Sequence, residues 1–166
     1  SITNTLNRKD TVTVFLRNAK SPYEIVDSSM STIDTISLTG NFKMNYALAG
    51  EYYISLKHKN SLETWSKAGG ENYDPMTLET YNFTGSAAQA FGSNMAPVDF
   101  TPVRFALFSG DVNQDGAIDG SDAGIIDNDA SNFVSGNAVT DLNGDYIVDG
   151  SDVSIVDNNA SNFVSK

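Results

Sequence analysis

The first two thirds of the chain alternate apolar with polar residues, a pattern typical of β-strands. Seven short stretches are rich in β-branched and aromatic residues; several of them show this alternation, and most are bounded by Gly, Asn, Asp, Ser or Pro. This density of short strands predicts a small antiparallel β-sandwich over residues 1–108, with one helical turn at Ser86–Phe91. The predicted strands are Thr11–Arg17, Tyr23–Ser28, Thr35–Leu38, Asn41–Tyr46, Glu51–Lys59, Leu78–Phe83 and Val103–Phe108.

After residue 108 the spacing of apolar residues becomes helical. Ser121–Phe133 and Ser151–Phe163 place apolar side chains three to four positions apart, which predicts two short amphipathic helices. We expect these side chains to form a shared core that packs the two helices together, antiparallel and nearly two-fold. The predicted core residues are Ile126, Ala130, Phe133, Ile155, Val156 and Phe163.

Charge divides the chain at the same place. The net charge of the 166 residues is −11, and residues 109–166 hold eleven Asp against a single basic residue, Lys166. The asymmetry predicts two parts, a β-sandwich over residues 1–108 and an acidic module over residues 109–166. Nucleic acid is not expected as a partner, because its phosphates would be repelled.

Composition narrows the chemistry that the chain can perform. Cysteine is absent, which excludes disulfides and the usual zinc sites. The single histidine, His58, lies between two lysines without an acid or nucleophile motif beside it, so we predict that the protein is not an enzyme. No run of about 18 apolar residues is present, so no membrane span is expected.

Residues 111–134 and 141–164 form a tandem repeat that is identical at 15 of 24 positions. Each copy begins with a twelve-residue loop, DVNQDGAIDGSD or DLNGDYIVDGSD, with side-chain oxygens at positions one, three, five, nine and twelve. Ca²⁺ takes six to eight oxygen ligands from such a loop, including the backbone carbonyl of position seven. The sequence therefore predicts two Ca²⁺ ions, with ligands from Asp111, Asn113, Asp115, Ala117, Asp119, Asp122, Asp141, Asn143, Asp145, Ile147, Asp149 and Asp152.

Two such loops, each followed by a short helix and lacking an entering helix, resemble the type I dockerin module over about residues 109–166. The resemblance implies a module that binds cohesin domains and joins secreted bacterial proteins into surface complexes. At the helix positions that often carry recognition residues in dockerins, both repeats have hydroxyl, acidic and amide side chains and lack the basic pair. These candidate docking residues are Ser121, Asp127, Asn128, Ser151, Asp157 and Asn158.

Position six of the loop differs between the two copies. It is Gly116 in the first loop and Tyr146 in the second. The sharp turn at this position is easy for glycine and strained for a residue with a side chain. The second calcium site is therefore predicted to be the weaker one.

The order TVTVFLR, LTGNF and LAGEYYISLKH in the first part resembles carboxypeptidase regulatory-like domains and the B-type repeats of bacterial collagen adhesins. This resemblance implies an immunoglobulin-like or prealbumin-like sandwich that serves as a spacer and has no catalytic residue. A sandwich followed by a dockerin-like module is similar to the X module–dockerin pairs of cellulosome scaffolds.

Together these features favour a non-enzymatic, calcium-binding structural protein outside the cell, a subunit of a surface scaffold or fibre that assembles with other copies. Residues 1–9 precede the first strand and are a candidate strand donor to a neighbouring subunit. The alternative is a docking module, the C-terminal part of a larger secreted protein, with a cohesin-like partner. A third interpretation is a carbohydrate-binding module with an aromatic platform for sugars, lined by Tyr52, Tyr53, Trp65, Tyr73 and Tyr81. Candidate glycosylation sites are Thr11, Thr35 and Asn82.

Overall fold

The computed structural model describes residues 9–162 and 164–166. Within this part of the chain, strands occupy the first two thirds and two α-helices the last third. The elements are β1 (Thr11–Asn18), β2 (Ile25–Thr32), β3 (Gly50–His58), β4 (Ser61–Trp65), β5 (Glu71–Tyr73), β6 (Ala96–Phe100), β7 (Val103–Ala106), α1 (Gly120–Ser131) and α2 (Gly150–Ser161).

The strands form two antiparallel sheets. In the larger sheet β2, β1, β3 and β4 lie side by side in that order, and β5 pairs with the first residues of β3. The smaller sheet is the β6–β7 hairpin. The fold is thus mainly β with antiparallel sheets and two helices, which confirms the predicted class at this level. β1 and β3 match their predicted ranges to within one residue at each end.

The predicted strand Thr35–Leu38 is wrong, because this segment is a turn. Oδ1 of Asp34 accepts hydrogen bonds from the backbone N–H groups of Ile36 and Ser37, at 3.1 and 2.7 Å. Leu38 then adopts a φ of 57°, in the left-handed region. When a side chain accepts hydrogen bonds from nearby backbone N–H groups, those groups cannot pair with a neighbouring strand, and a turn is favoured.

The predicted strand Asn41–Tyr46 is wrong for a similar reason. Asp27, a residue of β2 that is only 5% exposed, accepts three backbone N–H groups on Oδ2, from Asn45, Tyr46 and Ala47, at 2.5–2.9 Å. Burial raises the pKa of Asp27, but the hydrogen bonds from Tyr46 and Ala47 outweigh it and lower the pKa overall. The carboxylate therefore fastens this segment to β2 without strand pairing.

Leu78–Phe83 is the third incorrect strand. Residues 78–82 lie in no helix or strand, and three short 3₁₀ turns follow at Phe83–Gly85, Ala87–Gln89 and Phe91–Ser93, the second of them within the predicted helical turn. The side chain of Asn82 accepts the backbone N–H of Thr84 and so caps the first turn.

Three strands, β4 to β6, were not predicted from the sequence. In β4 the polar residues are buried together with Leu62, so the apolar and polar positions do not alternate between core and solvent. Glu63 is buried and accepts hydrogen bonds from Ser55 Oγ at 2.6 Å and Trp65 Nε1 at 2.9 Å. Burial raises the pKa of Glu63, and these two bonds, with the nearby Lys166 and Arg17 charges, lower it on balance.

Both helices begin within the repeated loops. Asp119 and Asp149 are the N-caps, and each forms a reciprocal capping box with the aspartate three residues later. The helices therefore start at glycine, one residue before the predicted serines, and end two residues before the predicted phenylalanines. Within the described residues, no helix has the length and apolarity needed to cross a membrane.

The helical core matches the predicted residues in part. Ile126 and Val156 are fully buried, and α1 packs against α2. Phe133 is wrong as a core residue, since it is 89% exposed. It follows the C-cap of α1 with a φ of 55°, and this left-handed turn ends the helical path that would have brought the ring inward. Phe163 lies outside the described residues.

One apolar core spans the predicted boundary between the two parts. Leu62 of β4 is fully buried among side chains of both repeats, and Phe108 packs against the same cluster. The buried members of this core are Leu62, Val112, Ile118, Ile126, Val148, Val156 and Val164. The division at residue 108 therefore marks a change in composition, while the packing is continuous across it.

Candidate metal centre

The two acidic loops have nearly the same hydrogen-bonding pattern. In loop 1, defined as residues 111–122, Oδ1 of Asp122 accepts the N–H groups of Val112 and Asn113, at 2.9 and 3.1 Å, and Oδ2 accepts that of Asp119 at 3.1 Å. In loop 2, residues 141–152, Asp152 makes the equivalent bonds at 2.7–3.1 Å. The aspartate at position twelve thus closes each loop on its own backbone.

The remaining side chains of each loop are placed alike. The amide of position three donates to the carboxylate of position five and to the serine hydroxyl at position eleven, at 2.8–3.0 Å. The aspartate at position nine accepts hydrogen bonds from the backbone N–H and the hydroxyl of that serine. These bonds lower the pKa of Asp119 and Asp149, with the Ser121 and Ser151 hydroxyls as the largest cause.

In loop 1, the aspartate at position one has a carboxylate oxygen that lacks a hydrogen-bond partner, whereas in loop 2 both oxygens of Asp141 accept backbone N–H groups. Asp111 is 2% exposed; its Oδ2 accepts the N–H of Gly116 at 3.2 Å, whereas its Oδ1 is buried without a hydrogen-bond partner. Burial, followed by the neighbouring carboxylate of Asp122, raises the pKa of Asp111. Such an orphaned anionic oxygen is costly in a folded protein unless a cation or water satisfies it.

The donor chemistry of the loops fits a hard cation. The side-chain groups that line them are carboxylates, amides and hydroxyls, and four of the aspartates, at positions one and twelve of both loops, are at most 2% exposed. Across the described residues, no three His, Cys, Asp or Glu side chains form a ready-made metal cluster. The ligand assignments at positions one, three, five, seven, nine and twelve therefore stay a prediction.

Each repeat completes the loop of the other. The backbone N–H of Ile118, at position eight of loop 1, donates to the carbonyl of Val164, and the N–H of Val148 in loop 2 donates to the carbonyl of Val134, at 2.8 and 3.0 Å. The position-seven residues make matching antiparallel bridges, Ala117 with Ser165 and Ile147 with Ser135. Each residue in the pairing at loop 1 has a counterpart 30 positions away in the pairing at loop 2. The two repeats therefore exchange backbone hydrogen bonds in a two-fold pattern.

The loops differ at position six as the sequence suggested. Gly116 has a φ of 92° and Tyr146 a φ of 72°, so both lie in the region that favours glycine. Tyr146 holds this conformation at a cost of about 1–2 kcal/mol. The structure also adds a difference not foreseen: Lys166 lies directly against Gly116, where an added Cβ would fall 2.5 Å from Lys166 Cε.

We expect Tyr146→Gly to tighten calcium binding at loop 2 by roughly fivefold, because calcium would no longer have to hold a strained backbone in place. Isothermal titration calorimetry of the full chain measures this change. Tyr146→Phe keeps the backbone strain and is the matched control, with affinity unchanged. Equal affinities for the glycine variant and the unmodified chain would contradict the strain argument.

The candidate docking residues lie on the exposed sides of both helices, but their surroundings differ. Asn158 lines a groove of about 570 Å³ between α2 and the loop that precedes β6. Its counterpart Asn128 is exposed and does not line this groove. Ser121, Asp127, Ser151 and Asp157 are also exposed.

The aromatic residues considered for carbohydrate binding fall into separate groups. Tyr53 and Trp65 pack together with a ring distance of 5.6 Å, Tyr52 contacts Tyr73, and Tyr81 contacts Phe83. The five candidate residues therefore do not form one continuous platform; they are Tyr52, Tyr53, Trp65, Tyr73 and Tyr81.

The candidate glycosylation sites lie at accessible positions. Thr11 and Asn82 are exposed, and Thr35 is half-buried. The proposed strand donor, residues 1–9, lies outside the described residues except for Lys9.

Asn60, in the turn between β3 and β4, contacts the second loop in a way that the sequence did not predict. It is 3% exposed, and its side chain donates to the backbone carbonyl of Asp141, the first residue of loop 2, at 3.1 Å. A single asparagine in a short polar turn carries no sequence signal of such a contact, since its partner is 81 residues away.

Comparison with solved structures supports the fold. No family model matches the chain, and no curated protein matches it. Two crystal structures of type II cohesin–X–dockerin complexes from Acetivibrio cellulolyticus are similar, one an N-terminal interface mutant and the other a C-terminal interface mutant. Both match with a TM-score of 0.51 over 98% of this chain and 90% of theirs, at 17% and 18% sequence identity. The chain thus shares its overall fold with a component of these complexes.

Proposed function

We propose that this protein is a non-enzymatic, calcium-stabilised module for protein–protein interaction outside the cell. The observation that carries the proposal is the pair of equivalent loops that bury four aspartates, one of them with an orphaned carboxylate oxygen. A divalent cation in each loop would satisfy this negative charge with the oxygen ligands that Ca²⁺ prefers. Ca²⁺ suits these loops better than Mg²⁺, which demands a tighter octahedron and retains its waters.

In this role the loop residues would bind the metal ion and position the helices, and they would take part in no chemical reaction. Asp111, Asn113 and Asp115 of loop 1, and their counterparts in loop 2, would hold the metal through side-chain oxygens. Calcium would supply positive charge that offsets the carboxylates and fixes the start of each helix. The exposed helix faces would then be presented in a fixed orientation to a partner.

A cohesin-like domain is the partner that we favour. Its support is the dockerin-like loop and helix order in the sequence, together with the fold shared with a component of cohesin–X–dockerin complexes. Localisation outside the cell or at its surface follows from the same proposal. Self-assembly through residues 1–9 stays a prediction from the sequence.

The test is calcium-dependent binding of the full chain to an immobilised type II cohesin, with size-exclusion chromatography and light scattering on the chain alone. We expect retention on the cohesin with calcium and release with chelator. The double variant Asp127→Ala/Asp157→Ala alters one residue of each helix face and should weaken retention. Calcium-dependent polymers without cohesin binding would instead favour the scaffold subunit. A calcium-bound monomer that binds no cohesin would contradict both.

A further inference from the structure

The tip of the β3–β4 hairpin contacts both acidic loops. Leu62, at the start of β4, is fully buried in the core that the repeats share, and its N–H donates to the carbonyl of Phe108 at 2.9 Å. Lys59, on the other side of the turn, donates to Asn137 and to the carbonyl of Ala138, both in the link between the repeats. The hairpin is therefore anchored in the acidic part at both sides of its turn.

Asn60, at the centre of this turn, contacts the backbone at the beginning of both loops. Its side-chain amide donates to the carbonyl of Asp141, the first residue of loop 2, at 3.1 Å. Its own carbonyl accepts the N–H of Gly110, the residue immediately before loop 1, at 2.8 Å. One buried residue thus fixes the backbone next to the first predicted ligand of each site.

The contact at loop 1 is tightly constrained. Gly110 has a φ of 127°, and an added Cβ would lie 2.9 Å from Ile118 Cγ2, so the Gly110 backbone packs closely against a core residue of loop 1. The next hairpin residue, Ser61, accepts a hydrogen bond on its carbonyl from the side-chain amide of Gln114, at position four of loop 1, at 3.4 Å. Asn60 therefore contacts loop 2 through its side chain, and the next residue, Ser61, contacts loop 1 through its carbonyl.

We propose that Asn60 is a positioning residue that couples the two calcium sites, so that occupation of one loop increases the affinity of the other. This inference rests on the calcium binding proposed above. Binding at loop 2 would fix the carbonyl of Asp141 and therefore the hairpin tip, and the tip would in turn hold Gly110 and the start of loop 1. Coupling of this kind is reciprocal by thermodynamic necessity.

A thermodynamic cycle on the full chain tests the coupling. Asp145→Asn removes a charged ligand from loop 2 without touching the Asp141 carbonyl, and calorimetry then gives the Kd of loop 1. We expect this substitution to weaken loop 1 by about fivefold or more in the otherwise unmodified chain. In an Asn60→Ala background, it should leave the Kd of loop 1 unchanged.

Asn94→Ala is the matched control for Asn60. Asn94 is also an asparagine of the β part whose side chain donates a hydrogen bond to the acidic part, to the carbonyl of Ser165 at 3.0 Å. This hydrogen bond does not involve the first residue of either loop. The fivefold effect should persist in this background. Asn60→Leu is close in size, removes the donor and adds no charge beside the acidic loops, so it replaces Asn60→Ala if that variant loses the circular dichroism of the folded chain.

The outcomes separate the coupling from the calcium assignment. If the unmodified chain shows no calcium binding, the proposed function fails and the coupling fails with it. If calcium binds but Asp145→Asn does not change the Kd of loop 1, only the coupling is overturned. An effect that survives in both Asn60 variants would likewise overturn the role of this residue while leaving calcium binding intact.

Discussion

Chelation of calcium is expected to lower the melting temperature of this protein by roughly 10–20 °C. Calcium at a hundredfold over its Kd adds about 2.7 kcal/mol per site, and two sites add about 5 kcal/mol. For a chain of this size, each kcal/mol changes the melting temperature by about 2–4 °C. The physical source of the effect is the orphaned Asp111 oxygen and the buried aspartates around it, which the metal would satisfy.

Differential scanning calorimetry with calcium, and then with excess EGTA, measures this change. Magnesium at the same concentration is the control for general ionic effects and should restore only a small part of the loss. Asp111→Asn/Asp141→Asn should melt at the same temperature with and without calcium. A melting temperature of the unmodified chain that does not respond to EGTA would show the calcium assignment to be wrong.

Leu62→Ala should destabilise the protein by about 3–4 kcal/mol, the second large effect that we expect. Leu62 is fully buried, and truncating such a leucine costs both its transfer free energy and a cavity. Because its neighbours include Val112, Ile118 and Val156 of the repeats, the cavity would weaken the contact between the β part and the acidic part. We therefore expect one cooperative transition, shifted as a whole.

Urea denaturation followed by tryptophan fluorescence and by helical circular dichroism checks this prediction. Leu78→Ala is the matched control, since Leu78 is 88% exposed and its loss should change the free energy of unfolding by less than about 0.5 kcal/mol. Two separate transitions, with only one of them displaced, would indicate that the two parts unfold independently and that the shared core contributes little.

The acidic part was more predictable from the sequence than the β part because its contacts are local. The loop bonds of Asp122 and Asp119 join residues at most ten positions apart, and their spacing is visible in the sequence. The same spacing recurs 30 residues later, which strengthens the prediction of two equivalent loops. The prediction of Phe133 as a core residue is wrong because the helical period does not continue beyond the C-cap Asn132, and Phe133 itself has a left-handed φ.

The β part was less predictable because hydrogen bonds from polar side chains, some of them buried, decide its path. Asp27 and Asp34 bind backbone donors and turn two apolar, strand-like segments into loops. Glu63 does the reverse, since Ser55, Trp65 and Arg17 satisfy it and allow a polar strand to lie in the interior. The partners of Asp27 and Glu63 in these contacts include residues 20 and 46 positions away, so the local pattern could not reveal them.

The crossed backbone pairing between Ile118 and Val164, and between Val148 and Val134, bears on how such a chain could have originated. A lone copy of the repeat would lack the strand that pairs with its own loop, and buried unpaired backbone groups are costly. Two separate copies could satisfy each other only by associating as a symmetric pair. The tandem duplication therefore has the architecture of a fused homodimer, in which one covalent link replaced an association that depended on concentration.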